Sequence, residues 1–272
     1  MGKGKNFAAT AAALAFIFTA GIALAGNIGI NGSTTVLPIA QKVSEEYMKI
    51  KPEVKISISG GGSGEGIKAI IDGTTDIANS SRDMKEKEIE LAKEKGINPV
   101  KHTVAYDCIV PVVHPSNTLT NLTIDQLKAL YKGEFKNWKE LGGPDAPVVV
   151  ISRDTSSGTY EVWEEKVMKK ERVFPGAQLL ASNGAVSTAV AKNKNAIGYI
   201  GFGYVSNEVK ALTIGGIAGT DKTALDGTYP VSRPLFMFTQ KAPEGEIKDF
   251  IDYILGPEGQ KLVKESGFVP LK

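Results

Sequence analysis

Three short segments concentrate hydroxyl side chains and glycines where an apolar run gives way to a helical pattern. They are Gly32-Ser33-Thr34-Thr35, Gly60-Gly61-Gly62-Ser63-Gly64 and Arg153-Asp154-Thr155-Ser156-Ser157-Gly158-Thr159. Each combines hydroxyl donors with a glycine that lets backbone approach closely, at a point where a helix start leaves N–H groups unpaired. The partial positive charge of such a helix end favours an anion. One such turn is ordinary helix capping by Ser or Thr. Three of them point to a common ligand rich in oxygen.

The arginines point the same way. Only four occur, Arg82, Arg153, Arg172 and Arg233, although the chain carries 32 basic residues. Two share a context, Ser81-Arg82-Asp83 and Ser152-Arg153-Asp154, each in a loop after an expected strand. A planar guanidinium fork suits an oxyanion, which it grips through parallel hydrogen bonds. For Arg82 the competing expectation is a local salt bridge to Asp83. A desolvated anion needs nearly every oxygen hydrogen-bonded. The hydroxyls of Ser33, Thr34, Thr35, Ser63, Ser81, Ser156, Ser157 and Thr159, the Gly158 backbone, Arg82 and Arg153 form the candidate donor set.

Other chemistries have weaker support. Ser63 and Ser157 lie outside any Gly-x-Ser-x-Gly elbow, and His102 and His114 are the only histidines available as a base. Those two histidines and the single Cys108 show no metal-ligand spacing. Gly60–Gly64 lacks the Gly-Lys-Ser/Thr ending of a nucleotide-binding P-loop. A secreted phosphatase or other hydrolase remains the rival reading.

Positioning these turns requires an α/β chain, and short apolar runs do alternate with helical patterns. Strands are expected at Ile28–Ile30, Lys55–Ser59, Asp76–Ala78, Val148–Ser152 and Ala196–Ile200. Helices are expected over Val36–Ile50, Glu65–Asp72, Met84–Lys95, Leu122–Gly133, Tyr160–Lys170, Ala185–Asn193, Glu244–Leu255 and Pro257–Ser266. Two longer extended runs, Thr103–His114 and Tyr229–Thr239, read as crossover strands. They divide the chain into one lobe of residues 26–109 and 233–272 and another of residues 110–232, with a ligand cleft between them.

The first 25 residues stand apart. Lys3 and Lys5 precede an apolar run from Ala8 to Ala25 that ends in Ala23-Leu24-Ala25, the pattern of a secretory signal peptide cleaved after about Ala25. Its removal takes two lysines and no acid, so the formal charge falls from +2 to zero. That balance argues against a general nucleic-acid or membrane surface.

The stretches Gly32-Ser-Thr-Thr-Val-Leu-Pro38, Gly60-Gly-Gly-Ser-Gly64 and Asp76-Ile-Ala-Asn-Ser-Ser-Arg82 resemble the phosphate-binding proteins of Pst-type ABC importers. The similarity continues through Leu122–Gly143, Arg153–Thr159 and Ala196–Ile200. It implies a two-lobed type II periplasmic binding fold, a buried inorganic phosphate and no catalysis. It makes Arg153, Ser157, Gly158 and Thr159 the phosphate loop, and Ser33, Thr34 and Ser63 the donors from the first lobe. It also implies a periplasmic monomer without cofactor that meets the transmembrane subunits of an ABC permease. The sequence departs from the longer members in having Ser81 where they carry a carboxylate that accepts the ligand's proton. Asp107, Asp83 or Asp154 would have to replace it, and sulfate or molybdate are the alternative anions.

Overall fold

A computed structural model describes Met1 and residues 26–271, so the expected signal segment lies outside the described residues. The chain begins with β1 (Asn27–Gly32), α1 (Leu37–Ile50), β2 (Lys55–Gly60), α2 (Ser63–Ile71), β3 (Ile77–Ser80) and α3 (Glu86–Glu94). The long β4 (Val100–Val113) follows, then the short β5 (Asn121–Leu122) and α4 (Ile124–Tyr131). Next come β6 (Val149–Arg153), α5 (Gly158–Lys166), β7 (Gln178–Leu180), α6 (Asn183–Lys192) and β8 (Ala196–Gly201). The remainder is β9 (Lys210–Ala211), β10 (Thr213–Ile214), α7 (Asp221–Leu225), β11 (Ser232–Thr239), α8 (Gly245–Leu255) and α9 (Pro257–Glu265).

The strands run in the order β2-β1-β3-β11-β4-β8-β6-β7, with β9 also paired to β4. β4 is the axis of this arrangement. Its residues Val100–Cys108 pair antiparallel with β11, and Ile109–Val113 pair antiparallel with β8. The change of partner falls between two adjacent residues, so a single strand belongs to both halves of the molecule.

The apolar residues sort the same way. One buried cluster gathers residues between Cys108 and Val231, among them Trp138, Trp163 and Tyr199, together with the tail residue Val269. Two others, on opposite faces of β1, β3 and β11, gather residues between Ile28 and Ala105 with Leu235–Phe268. The fold is two-lobed. We use first lobe for the half on β1–β3 and second lobe for the half on β6–β8.

Local sequence explains the elements that carry the site. α1 buries Ile39, Ala40, Val43 and Tyr47 at helical spacing, and Pro38 sits in its first turn, where no N–H partner is lost. Ser157 caps α5 by accepting the Tyr160 N–H at 3.2 Å. Neither α1 nor α2 uses a side-chain cap. Capping therefore accounts for a hydroxyl at the third turn only; in the first turn Ser33 Oγ accepts the Thr35 N–H at 3.1 Å.

Candidate functional site

The three turns meet. Thr35 of the first lobe and Thr159 of the second place their hydroxyl oxygens 3.0 Å apart, although 124 residues separate them in sequence. Ser63 and Ser81 are paired at 3.2 Å, and the Ser63 oxygen also accepts the Ser81 N–H. Gly158 lies against this pair: a Cβ there would stand 2.3 Å from Ser63 Oγ and 2.8 Å from Ser81 Oγ. Ser33, Thr34, Thr35, Ser63, Ser81, Ser157 and Thr159 are all buried. The hydroxyls thus come from both lobes and are withdrawn from water together.

The closure of one lobe on the other is held by backbone as well. Gly64 donates its N–H to the Ser156 carbonyl at 3.0 Å, and Ser156 Oγ donates to the Gly61 carbonyl at 2.9 Å. Gly62 has φ +106°, and a Cβ at this position would stand 2.6 Å from the Ser156 oxygen. Only glycine satisfies both constraints. Ser156, expected as an anion donor, is a lobe-to-lobe contact in the structure.

Arg153 is 1% exposed. Its Nε donates to Leu180 O at 3.0 Å and its Nη2 to Ala181 O at 2.9 Å, which orient the guanidinium from behind. Nη1 is buried with no protein acceptor. Burial pushes the guanidinium below its ordinary value and the neighbouring Arg233 adds to this, while Asp154 opposes both. An arginine nonetheless stays charged at neutral pH. The backbone of Arg153 is fixed through its N–H to Tyr199 Oη at 3.2 Å, and Tyr199 stacks on Trp163 of α5 with ring centres 4.3 Å apart.

Arg233 and Asn183 are the residues that sequence reasoning missed. Arg233 reaches Asp107 Oδ2 through Nε at 3.1 Å and Nη2 at 2.8 Å. The same Nη2 lies 3.2 Å from Thr35 Oγ1 and 3.1 Å from Thr159 Oγ1, and Nη1 donates to Ser81 O at 3.2 Å. Asn183, the first residue of α6, donates to Thr34 Oγ1 at 3.2 Å and Thr35 Oγ1 at 3.0 Å, and accepts the Gly201 N–H. The signal available for Arg233 was its type: an arginine inside an otherwise apolar crossover strand needs a buried partner.

The carboxylates divide clearly. Asp107 is fully buried, with Oδ2 on Arg233 and Oδ1 accepting the Phe202 N–H at 2.9 Å. Burial pushes its carboxyl up, and Arg233 pulls it back. Asp83 is spent on Lys101 and on the Met84 N–H. Asp154 Oδ1 accepts the Ser156 N–H at 2.9 Å, while its Oδ2 is buried and unpartnered. Of the three carboxylates expected to accept a ligand proton, only Asp154 keeps a buried oxygen unused.

Arg82 is not part of the hydroxyl cluster. Its Nη1 and Nη2 hold both oxygens of Glu88 at 2.7 and 2.8 Å, and Nη1 also donates to Asp83 O. The expected pairing with the Asp83 carboxylate does not form, because Glu88 on the first turn of α3 offers a bidentate partner instead.

Arg233 is paired with Asp107 and Arg153 has Asp154 beside it, while Arg153 Nη1 remains an unused donor. Such a cluster suits an anion whose oxygens accept many hydrogen bonds. Among the described residues no group of His, Cys, Asp and Glu is spaced to hold a metal ion. No helix of the described residues is long and apolar enough to cross a membrane.

Comparison with known proteins agrees with this chemistry. The family model described as PBP superfamily domain matches residues 19–258. "Phosphate-binding protein PstS" of Borreliella burgdorferi is 33% identical over 258 residues, which are 90% of this chain and 90% of that protein. The Staphylococcus aureus (strain USA300) protein of the same name is 35% identical over 260 residues, covering 90% of this chain and 79% of the relative. Among solved structures, a putative phosphate ABC transporter substrate-binding protein with bound phosphate from Clostridium perfringens superposes with a TM-score of 0.85. It is 38% identical, covering 91% of this chain and all of that one. An ABC-type phosphate transport receptor from Vibrio cholerae gives a TM-score of 0.72 at 33% identity, covering 89% of this chain and 99% of that one. The lobes, the crossover strands and the sequence motifs therefore have one common origin: the chain belongs to the PBP superfamily, in the family of the PstS proteins.

Proposed function

We propose that this chain captures inorganic phosphate between its lobes and hands it to an ABC importer, acting as a periplasmic monomer after loss of residues 1–25. The observation that carries the reading is the buried, donor-rich cluster together with the buried, unpaired Arg153 Nη1. A tetrahedral oxyanion supplies the acceptors that such a cluster lacks. The names of the PstS relatives and the phosphate held by the Clostridium perfringens protein support phosphate as that anion. Its donors would be Ser33, Thr34, Thr35, Ser63, Ser81, Arg153, Ser157, Gly158 and Thr159, with Arg233 and Asn183 as additions. Residues 26–109 and 233–272 would form one lobe and residues 110–232 the other, moving about the two crossovers.

A hydrolase would need a base on a serine. His102 bonds Thr239 Oγ1 and His114 bonds Ser116 Oγ, whereas Ser63 is paired with Ser81. The groups for nucleophilic attack are not assembled, and binding without turnover is the better reading.

Delivery is tested with the permease and ATPase of the importer in proteoliposomes. Phosphate-loaded protein should raise ATP hydrolysis and carry labelled phosphate inward, and absence of both would contradict delivery. Closure has its own test in Gly158→Ala. The added methyl must displace Ser63 and Ser81 on the opposite lobe, an overpacking of about 1–3 kcal/mol. Phosphate affinity should fall roughly 5- to 150-fold with the melting temperature of the ligand-free protein unchanged. Unaltered affinity would show that the lobes need not meet at this glycine.

A further inference from the structure

Glu161 lies in the first turn of α5, one helical turn beyond Ser157, the start of the Ser157–Thr159 segment that faces the hydroxyl cluster. Its carboxylate does not pair within its own lobe. Oε2 lies 2.7 Å from Lys85 Nζ, and Oε1 lies 2.9 Å from Arg82 Nε. The second contact is an ion pair at an angle, since that N–H does not point at the oxygen. Both cations belong to the loop between β3 and α3 of the first lobe. Glu161 is mostly buried at this junction, and the Arg82 side chain more so.

Arg82 is meanwhile neutralised from its own side. Glu88, in the same lobe, holds Nη1 and Nη2 together. Burial pushes the Glu88 carboxyl up, but the Arg82 hydrogen bonds and the Lys85 N–H outweigh this and hold it below the ordinary range. The Arg82–Glu88 pair needs nothing from the second lobe. The Glu161 pairs need both lobes in contact.

We propose that Glu161 is a positioning residue that latches the closed form and sets how long phosphate is retained; this rests on the reading of the chain as a phosphate carrier. The arrangement separates two states cleanly. With the lobes apart, Arg82 keeps Glu88 and is never a bare buried charge, while Glu161 and Lys85 return to water. With the lobes together, Glu161 adds attraction in a partly desolvated junction, where Coulomb energy is larger than in bulk solvent. Because the latch sits on the helix whose N-terminus carries Ser157, Gly158 and Thr159, it holds the phosphate loop itself against Ser63 and Ser81.

The test is stopped-flow release of phosphate from the full protein, comparing it with Glu161→Gln, Lys85→Met and the double variant. Glu161→Gln should raise the release rate about tenfold, between the small effect of an exposed pair and the large one of a buried pair. Association should change less than about twofold, since most affinity differences appear in dissociation. Release from the unmodified protein should quicken with added salt, and the variant should lose most of that dependence. The double variant should release no faster than Glu161→Gln by more than a small factor, because both substitutions cut the same link. A merely structural role would lower the melting temperature of the ligand-free protein without flattening the salt dependence. Unchanged release with intact binding would overturn the latch alone. Absence of phosphate binding by the unmodified protein would overturn the carrier reading and the latch with it.

Discussion

Arg153→Ala is expected to weaken phosphate binding roughly a hundredfold or more. Truncating one partner of a buried, charge-assisted hydrogen bond costs about 2–5 kcal/mol. The lost group includes Nη1, the Arg153 nitrogen with no protein acceptor, so the anion loses a donor that no other protein group uses. Among the described residues Arg153 makes no salt bridge, whereas Arg233 is paired with Asp107. Lysine should recover only part of the affinity. An ammonium cannot hold the Leu180 and Ala181 carbonyls and still present a fixed donor to the ligand. Those carbonyls lose their donors in the alanine variant, and a modest loss of stability, about 1–3 kcal/mol, should accompany the loss of affinity. Calorimetric titration with parallel thermal melts separates the two effects. Affinity within a factor of two of the unmodified protein would remove Arg153 from the site.

Arg233→Met should have the largest effect on stability. It leaves Asp107 fully buried without its cation, a situation that costs about 3–5 kcal/mol. The added substitution Asp107→Asn should return much of that loss, because the stranded charge, rather than the missing arginine, is the main penalty. The pH dependence gives a second readout. Burial pushes the Asp107 carboxyl up, and without Arg233 nothing but backbone N–H groups opposes it. A raised carboxyl pKa means the native state binds a proton that the unfolded chain has already released. The penalty therefore grows as pH rises from the unfolded value near ~3.9 toward the folded value. The gap between Arg233→Met and the unmodified protein should be narrow in acid and wide at neutral pH. Urea denaturation across that range measures it, and a gap independent of pH would contradict the assignment.

The regular elements were largely legible because their signals are local. The apolar spacing of α1 and the alternation in β2 each appear within a few residues, and the structure places those elements where they were expected. β5, β9 and β10 have two residues each, too short for any periodicity to show. Their existence depends on partners far away in the chain.

The site was legible in the same uneven way. The three hydroxyl turns announced themselves by composition, and the structure brings Thr35, Ser63, Ser81 and Thr159 together. What composition could not supply was the partner of each arginine. Ser81-Arg82-Asp83 and Ser152-Arg153-Asp154 look alike in sequence, yet Arg82 is engaged by the carboxylates of Glu88 and Glu161 while Arg153 has only carbonyl acceptors and keeps Nη1 free. Arg233 was hidden in a strand read for its apolar neighbours. Its pairing with Asp107 across β4 and β11 joins residues 126 positions apart. Local patterns mark which side chains have the chemistry, and the pairing of strands decides which of them is left unpartnered.

The most direct measurement is a calorimetric titration of the protein, freed of bound ligand by unfolding and refolding, with phosphate and then with sulfate and molybdate. The account predicts one phosphate per chain bound at micromolar concentration or tighter, with sulfate and molybdate much weaker. No heat with phosphate, or tighter binding of sulfate or molybdate, would contradict it.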